Sequence, residues 1–334
     1  MRKFLINSFY FCMPIFLLMV IYVAIDVFKI VYHYNTYYTD NDIVGINRAY
    51  ASTMTYINQN SQFHYNSFIF GNSRSLYYQV DTWKKYLPEN SRCMHYDEFG
   101  GSISGIRDKM AFIDKNGGHI DHALLVIDYR LLSFYDREQG YLYLAPPILK
   151  NNSNLIKFHV QHFSAFLNPM FIFALVDYNL YKTYRPYMEG LIKIRHSTYI
   201  PQYNEFQNTV EEAEIREGIY YNPTRLEVFK NKQKPGSFSS EVLGSKEIEC
   251  LKETKRLFDK HKTSYKIIIS PLYDQIKLNR RTYMTLCKIF GKERIFDFSG
   301  VNKWNKDYHN YYEYSHYRPV VAEEIMDIIY SWKD

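Results

Sequence analysis

The pattern of the chain begins with an unbroken apolar run. Phe4 to Ile25 covers 22 residues without a charged side chain, and 13 of them are Leu, Ile, Val or Phe. At about 1.5 Å per residue a helix of that length crosses a hydrocarbon core of about 30 Å. Asn7, Ser8 and Pro14 lie toward one side of the span and are outweighed by the apolar residues. Beyond it the apolar positions come in short bursts. Ser67-Phe68-Ile69-Phe70, followed by Gly71-Asn72, predicts a buried strand ending in a tight turn. Arg92 to Tyr96 predicts a second strand. Ala123 to Ile127, read A-L-L-V-I, predicts a third that is covered on both faces, as parallel strands are. Tyr265 to Ile269 and Arg294 to Phe298 predict two more.

Helical periodicity fills the intervals. The expected helices are Val44 to Ile57, Thr82 to Leu87 capped by Asp81, and Gly105 to Asn116 capped by Ser102 or Ser104. Ser245 to Lys262, residues 275 to 290, and Val320 to Trp332 behind Pro319 complete the set. Strand and helix alternating through short turns predict an α/β domain, with a parallel sheet and helices on both faces.

Residues 131–244 break this rhythm. They hold Pro146-Pro147, an apolar patch from Met170 to Val176 too short to span a membrane, and an acidic stretch from Glu211 to Glu217. The segment reads either as a mixed insertion capping the active edge or as an appendage remote from it. The division is therefore a short N-terminus (1–3), a membrane span (4–25), a juxtamembrane connector and helix (26–60), the first part of the sheet domain (61–130), the insertion (131–244) and the second part (245–334). Tyr22, Tyr32, Tyr34, Tyr37 and Tyr38 suit an interfacial aromatic belt.

Charge sets the orientation. Arg2 and Lys3 precede the span and Asp26 follows it, so the positive-inside rule puts the N-terminus in the cytoplasm and the bulk of the chain outside a cytoplasmic membrane. A cleavable signal peptide is the rival, but no small-x-small site follows the span. The formal net charge of +6 comes without a basic run, which argues against nucleic acid as a partner. Four cysteines without CxxC spacing indicate neither zinc nor a disulfide framework. The 34 tyrosines could line a sugar-binding surface or reflect compositional bias.

The candidate chemistry sits at two ends of the domain. Ser73 follows the first strand, at the sheet edge where open α/β folds bind ligands, although Gly71-Asn72-Ser73 alone is also an ordinary loop sequence. Near the C-terminus, Glu313 and His316 are three positions apart, so the carboxylate can orient the imidazole on one turn of a loop or helix start.

In these two blocks, in this order, the chain resembles the SGNH (GDSL-like) hydrolase superfamily, over roughly residues 65 to 332. Gly71-Asn72-Ser73 is similar to its first block, and Glu313-Tyr314-Ser315-His316 to its last, with Glu where the family usually has Asp. The resemblance implies a flavodoxin-like three-layer sandwich. It implies Ser73 as nucleophile, His316 as base and Glu313 as its orienting acid. It also implies an oxyanion hole from the N–H groups of Ser73 and Gly101. The family's Asn after the third strand is missing: Asp128-Tyr129-Arg130 stands there, and Asp128 accepts rather than donates unless protonated or paired, for example with Arg130. Asn72, Arg74, Asp128, Arg130 and Arg318 are candidates for substrate contact; solvation of the arginines and a structural role for Asp128 are the plainer alternatives. Asp274, Asp297 and His309 lie near strand ends or the last loop without an arrangement for metal, and neither metal nor cofactor is expected. The implied function is a membrane-anchored esterase or O-acyltransferase on acylated, chiefly acetylated, cell-envelope glycan, a transferase needing a membrane protein to deliver the acyl group. The alternatives are an inactive SGNH-like module that binds glycan or serves as a scaffold, and an unrelated α/β protein in which Ser73 and His316 are far apart.

Overall fold

A computed structural model describes residues 1–39, 42–136, 139–193, 197–241 and 243–331, without the side chains of Arg2 and Leu5. The expected end of the last helix at Trp332, and the Arg2 side chain used in reading the orientation, lie outside the described residues.

Five strands form the central sheet: β1 (Ser67–Gly71), β2 (Cys93–His95), β3 (His122–Ile127), β4 (Ser264–Ile269) and β5 (Ile295–Asp297). All neighbours are parallel, in the order β2-β1-β3-β4-β5. The period of two explains why the strands are apolar throughout. Phe68, Phe70, Leu125 and Ile267 enter one core, with Ile106 and Met110 of α3 (Ile103–Lys115) and Leu251 and Phe258 of α6 (Ser245–His261). Ile69, Leu124, Val126 and Ile268 enter the opposite core, with Trp83 and with Val321, Ile325 and Ile329 of α8 (Pro319–Ser331). The register aligns Gly71 with Val126 and Ile127 with Ile269, so the turns after β1, β3 and β4 open along one edge.

Helix starts depart from the sequence reading, in one case because a distant group takes over the cap. The short helix after β1 runs Val80–Lys84, starting two residues earlier than Asp81 as cap would give, because the Val80 N–H donates to the Glu205 carboxylate at 2.6 Å. α7 (Arg280–Phe290) starts late, at Asn279, since residues 270–279 form an irregular loop in which Asp274 accepts from the Ile276 N–H at 3.1 Å. Ser245 is the first residue of α6 rather than its cap; Gly244 takes that place and donates its N–H to Glu247 at 3.0 Å. Ser102 caps α3 as expected, accepting from Gly105 at 3.1 Å.

α1 (Arg2–Ile25) contains 20 residues, Ile6–Ile25, with a mean hydropathy of 2.3, long and apolar enough to cross a membrane. The connector after it is knotted rather than slack. The Asp26 carboxylate accepts the N–H groups of Ile30, Val31 and Tyr32 at 2.9, 3.0 and 3.0 Å and the Tyr34 hydroxyl at 2.9 Å. Tyr22, Tyr37 and Tyr38 therefore do not form a lipid-facing belt: Tyr22 packs on Phe163 and Phe166, and Tyr37 and Tyr38 pack in a cluster with Ile46 and Phe206. Residues 131–244 include two apolar helices, α4 (Leu155–Phe166) and α5 (Pro169–Tyr181), and a small antiparallel ladder, Thr198–Ile200 with Glu205–Gln207.

Behind the sheet edge lies a buried ionic group that the pattern of apolar positions does not reveal. Arg48 of α2 (Arg48–Phe63) pairs with Asp97 at 2.6 Å, both side chains fully buried, and donates to Asn204 Oδ1 at 2.9 Å. Lys109 of α3 donates to the Asp97 carbonyl at 2.9 Å and pairs with Glu98 at 2.9 Å, while Glu98 accepts the Ser102 N–H at 2.8 Å. The loop carrying Gly100 and Gly101 is thus pinned from two helices. Burial alone would raise the Asp97 carboxyl; the Arg48 guanidinium outweighs it and leaves the group below its ordinary range. A lowered carboxyl stabilises the fold above its unfolded value near 3.9, and the contribution disappears as pH falls through the lower folded value. Asp97→Asn is expected to cost about 3–5 kcal/mol, since it strands a buried guanidinium. Chemical denaturation of the detergent-solubilised chain at pH 7 measures the loss, and an unchanged midpoint would contradict it.

Candidate active site

Ser73 is placed by a turn that requires glycine two residues before it. Gly71 ends β1 at φ +153°, and a Cβ there would lie 2.4 Å from the Val126 carbonyl. Asn72 follows, its side-chain oxygen accepting the Arg74 N–H at 3.0 Å and so capping the 3-10 turn Ser73–Tyr77. Ser73 is the first residue of that turn, where an N–H has no intrahelical acceptor.

The partner arrives from the far end of the chain. Tyr311–Glu313 and His316–Tyr317 form an antiparallel hairpin whose tight turn is Tyr314-Ser315, rather than the helix start or open loop that the three-position spacing also permits. Its strands are mostly aromatic, which favours a ladder, and Pro319 then opens α8. Across the turn the His316 Nδ1 is hydrogen-bonded to the Glu313 carboxylate, whose second oxygen accepts the Ser315 N–H at 2.9 Å. The His316 Nε2 lies 2.8 Å from Ser73 Oγ, across 243 positions of sequence. The structure thus brings Ser73, His316 and Glu313 together, and the alternative in which the serine and histidine are far apart is excluded.

Three further candidates form the frame rather than the surface of the site. Asp128, 1% exposed, caps the turn after β3 with one oxygen, accepting the N–H groups of Arg130 and Leu131 at 2.8 and 3.0 Å. Its other oxygen accepts from Asn72 Nδ2 at 2.7 Å and lies 3.2 Å from Arg74. Arg74 in turn donates to the Ser315 carbonyl at 3.1 Å and to the Ser315 hydroxyl at 2.7 Å. Asn72, Asp128 and Arg74 therefore join the β1 turn, the β3 turn and the hairpin. With its oxygens occupied, Asp128 is not free to meet a substrate.

Arg130 and Arg318 behave differently. Arg130 lines the cleft, donating to Asp274 at 2.9 Å and to the Tyr129 hydroxyl at 3.1 Å, and its guanidinium lies over the Tyr314 ring. Arg318 points instead to Glu212, with bonds of 2.9 and 2.6 Å, and Glu212 also accepts the Tyr312 hydroxyl at 2.7 Å. Burial raises the Glu212 carboxyl, but the hydrogen bonds from Arg318 and Tyr312 outweigh it and leave the group below its ordinary range. The acidic stretch of the 131–244 segment is thus a brace for the hairpin, and the Tyr220 hydroxyl adds a bond to the Tyr312 carbonyl at 3.0 Å. Sequence reasoning did not pair Glu212 with Arg318, because nothing at 106 positions' separation signals it.

Gly101 lies against Asn72, one residue from the serine. Its φ is +40°, and a Cβ would sit 2.7 Å from the Asn72 Cβ. Its N–H enters none of the described hydrogen bonds. Before the serine opens a cleft of about 810 Å³, walled by Phe99 from the sheet domain and by Leu131, Phe134, Leu142, Tyr143 and Phe206 from the segment 131–244. Such a cavity is large enough for an acyl chain or a sugar unit. Among the described residues no three His, Cys, Asp or Glu side chains are grouped to hold a metal ion. Asp274 holds Arg130, Asp297 pairs with Lys277 at 2.8 Å, and His309 pairs with Asp307 at 2.7 Å.

No protein-family model matches the sequence, and no curated protein is significantly similar to it.

Asp128→Ala is expected to destabilise the chain by about 1–3 kcal/mol, because it leaves the Asn72 amide and the Arg74 guanidinium buried without their acceptor. Thermal unfolding followed by circular dichroism measures it, and a midpoint equal to the parent's would remove Asp128 from the frame.

Proposed function

We propose that the chain is a membrane-anchored serine esterase or O-acyltransferase of the SGNH type, acting on acylated, chiefly acetylated, envelope glycan outside the cytoplasmic membrane. The observation that carries this reading is the continuous hydrogen-bonded line from Ser73 Oγ through His316 to Glu313 at the mouth of a cleft. In the reaction, Ser73 Oγ bonds to the acyl carbon while its proton passes to His316 Nε2. The ester's alkoxide leaves with that proton. Water or an acceptor hydroxyl then gives its proton to His316 and attacks the acyl carbon, and the bond to Ser73 Oγ breaks as His316 returns the proton to that oxygen. Glu313 holds the imidazole in the tautomer that accepts at Nε2 and stabilises its charged form. The N–H groups of Ser73 and Gly101 are the proposed oxyanion donors, and losing one such donor typically costs about 10²- to 10³-fold.

Two further features support the reading. The strand order is that of the doubly wound flavodoxin-like sheet, whose ligand crevice lies between the first and third strands at their carboxyl ends. Ser73 follows one of these strands and Asp128 the other. On this view the helices on both faces complete a three-layer sandwich, residues 131–244 are an insertion between β3 and β4, and the chain crosses the membrane once with its N-terminus inside. The glycan remains an expectation from the resemblance, as does a membrane protein supplying the acyl group to a transferase.

One observation favours the second reading, an inactive module that binds glycan or serves as a scaffold: Asp128 stands where the family's Asn donates, and its oxygens are fully occupied. A fluorophosphonate probe separates the two. Labelling that Ser73→Ala abolishes supports the enzyme, and no labelling of folded protein supports the binding module. With an active enzyme, Ser73→Ala is expected to lower turnover by roughly 10³-fold or more. Glu313→Gln is expected to lower kcat by about 10⁴-fold with the fold intact, because it favours the wrong tautomer. Hydrolysis of a chromogenic acetyl ester reads both, and full activity in Ser73→Ala would end the proposal.

A further inference from the structure

The segment between β3 and β4 carries a surface that the proposed chemistry does not use. α4 and α5 hold 12 and 13 residues and are bent from each other by 63°. Their inward faces are conventional: Phe158, Phe166, Phe171 and Ala174 pack with Phe28 and Val44. Their outward faces are not. Ile156 is 80% exposed, Val160 59%, Phe173 58%, Val176 51% and Leu180 70%, at spacings that align them along each helix. The only charged residues from 155 to 181 are Lys157 and Asp177, and Asp177 is turned inward to Arg185 at 2.8 Å. Large apolar side chains exposed in such a group mark an interaction surface.

Its position says which partner. Tyr22, three residues before the end of α1, packs on Phe163 and Phe166 with ring centroids 5.3 and 5.4 Å away, and Phe28 stacks on Phe171 at 5.7 Å. At about 1.5 Å per residue the joint lies about 5 Å inside the end of the apolar span. A bilayer that takes in α1 as far as Ile25 therefore also meets α4. Neither helix reaches across a core of about 30 Å, and the bend keeps the pair from forming one straight span.

We propose that α4 and α5 lie in the interfacial layer of the bilayer that α1 crosses, with Ile156, Val160, Phe173, Val176 and Leu180 turned to the acyl chains. The inference rests on the reading of α1 as a membrane span. Lys182, just after α5, then lies at headgroup depth, where basic side chains meet anionic lipid. The arrangement also locates the cleft. Gly45 and Leu142 line it, while their neighbours Val44 and Tyr141 belong to the cluster under α4 and α5. The cleft is held at the membrane surface, suited to a substrate or acyl donor that is itself lipid-linked.

The test uses the full chain in phosphatidylcholine–phosphatidylglycerol vesicles, with an environment-sensitive fluorophore on a single introduced cysteine and Cys12 and Cys287 replaced by serine. Leu17→Cys reports on α1, Val176→Cys and Leu180→Cys on α5, and Lys252→Cys on the exposed side of α6. Lipids brominated on their acyl chains are expected to quench the emission at 17, within the span, and at 176 and 180, at the depth of an interfacial helix, and to leave 252 unchanged. Quenching at 17 without quenching at 176 and 180 overturns the proposal and leaves the span standing; a second copy of the chain covering this face gives that result. No quenching at 17 removes the span and the inference with it.

Discussion

The carboxylate of Asp128 is the point on which the site depends. It is buried at the carboxyl end of β3, and it takes up the amide of Asn72, the guanidinium of Arg74 and two N–H groups of its own turn. A buried charge with every acceptor position filled is tolerated; the same charge with one partner removed costs several kcal/mol. The β1 turn and the β3 turn therefore form one unit, because parting them strands a charge. Arg74 extends that unit by binding Ser315, next to His316. The short distance between serine and histidine is a consequence of this frame.

The frame has supports on two sides. Behind it, Arg48 and Lys109 hold Asp97 and Glu98, and so the loop that ends in Gly100 and Gly101. In front, Glu212 ties Arg318 and Tyr312 to the segment between β3 and β4. That segment is consequently in contact with the site and supplies part of its wall.

Much of this was legible in the sequence, and what was not has identifiable causes. The strands were readable because parallel strands are apolar on both faces, and Ala123 to Ile127 shows that without interruption. Ser73, Glu313 and His316 were readable as types and spacings, although the distance between them is a property of the sheet order. Helix starts went astray where a remote group replaced the local cap, as Glu205 does at Val80. The tyrosines of the connector were assigned to lipid because the residues that bury them, Phe163, Phe166 and Phe206, come more than a hundred positions later. The ionic group around Arg48 left no trace, since a charged residue looks the same in sequence whether solvated or buried in a pair.

The hairpin Tyr311–Tyr317 has a mechanical meaning. Glu313 and His316 sit on adjoining strands of a single tight turn, so they shift as one piece. Any breathing of this region stretches the link to the hydroxyl while the imidazole keeps its orientation and its charge-stabilising neighbour. The assembly has one joint, and docking of the hairpin against the Arg74 side chain sets whether that joint is engaged or idle.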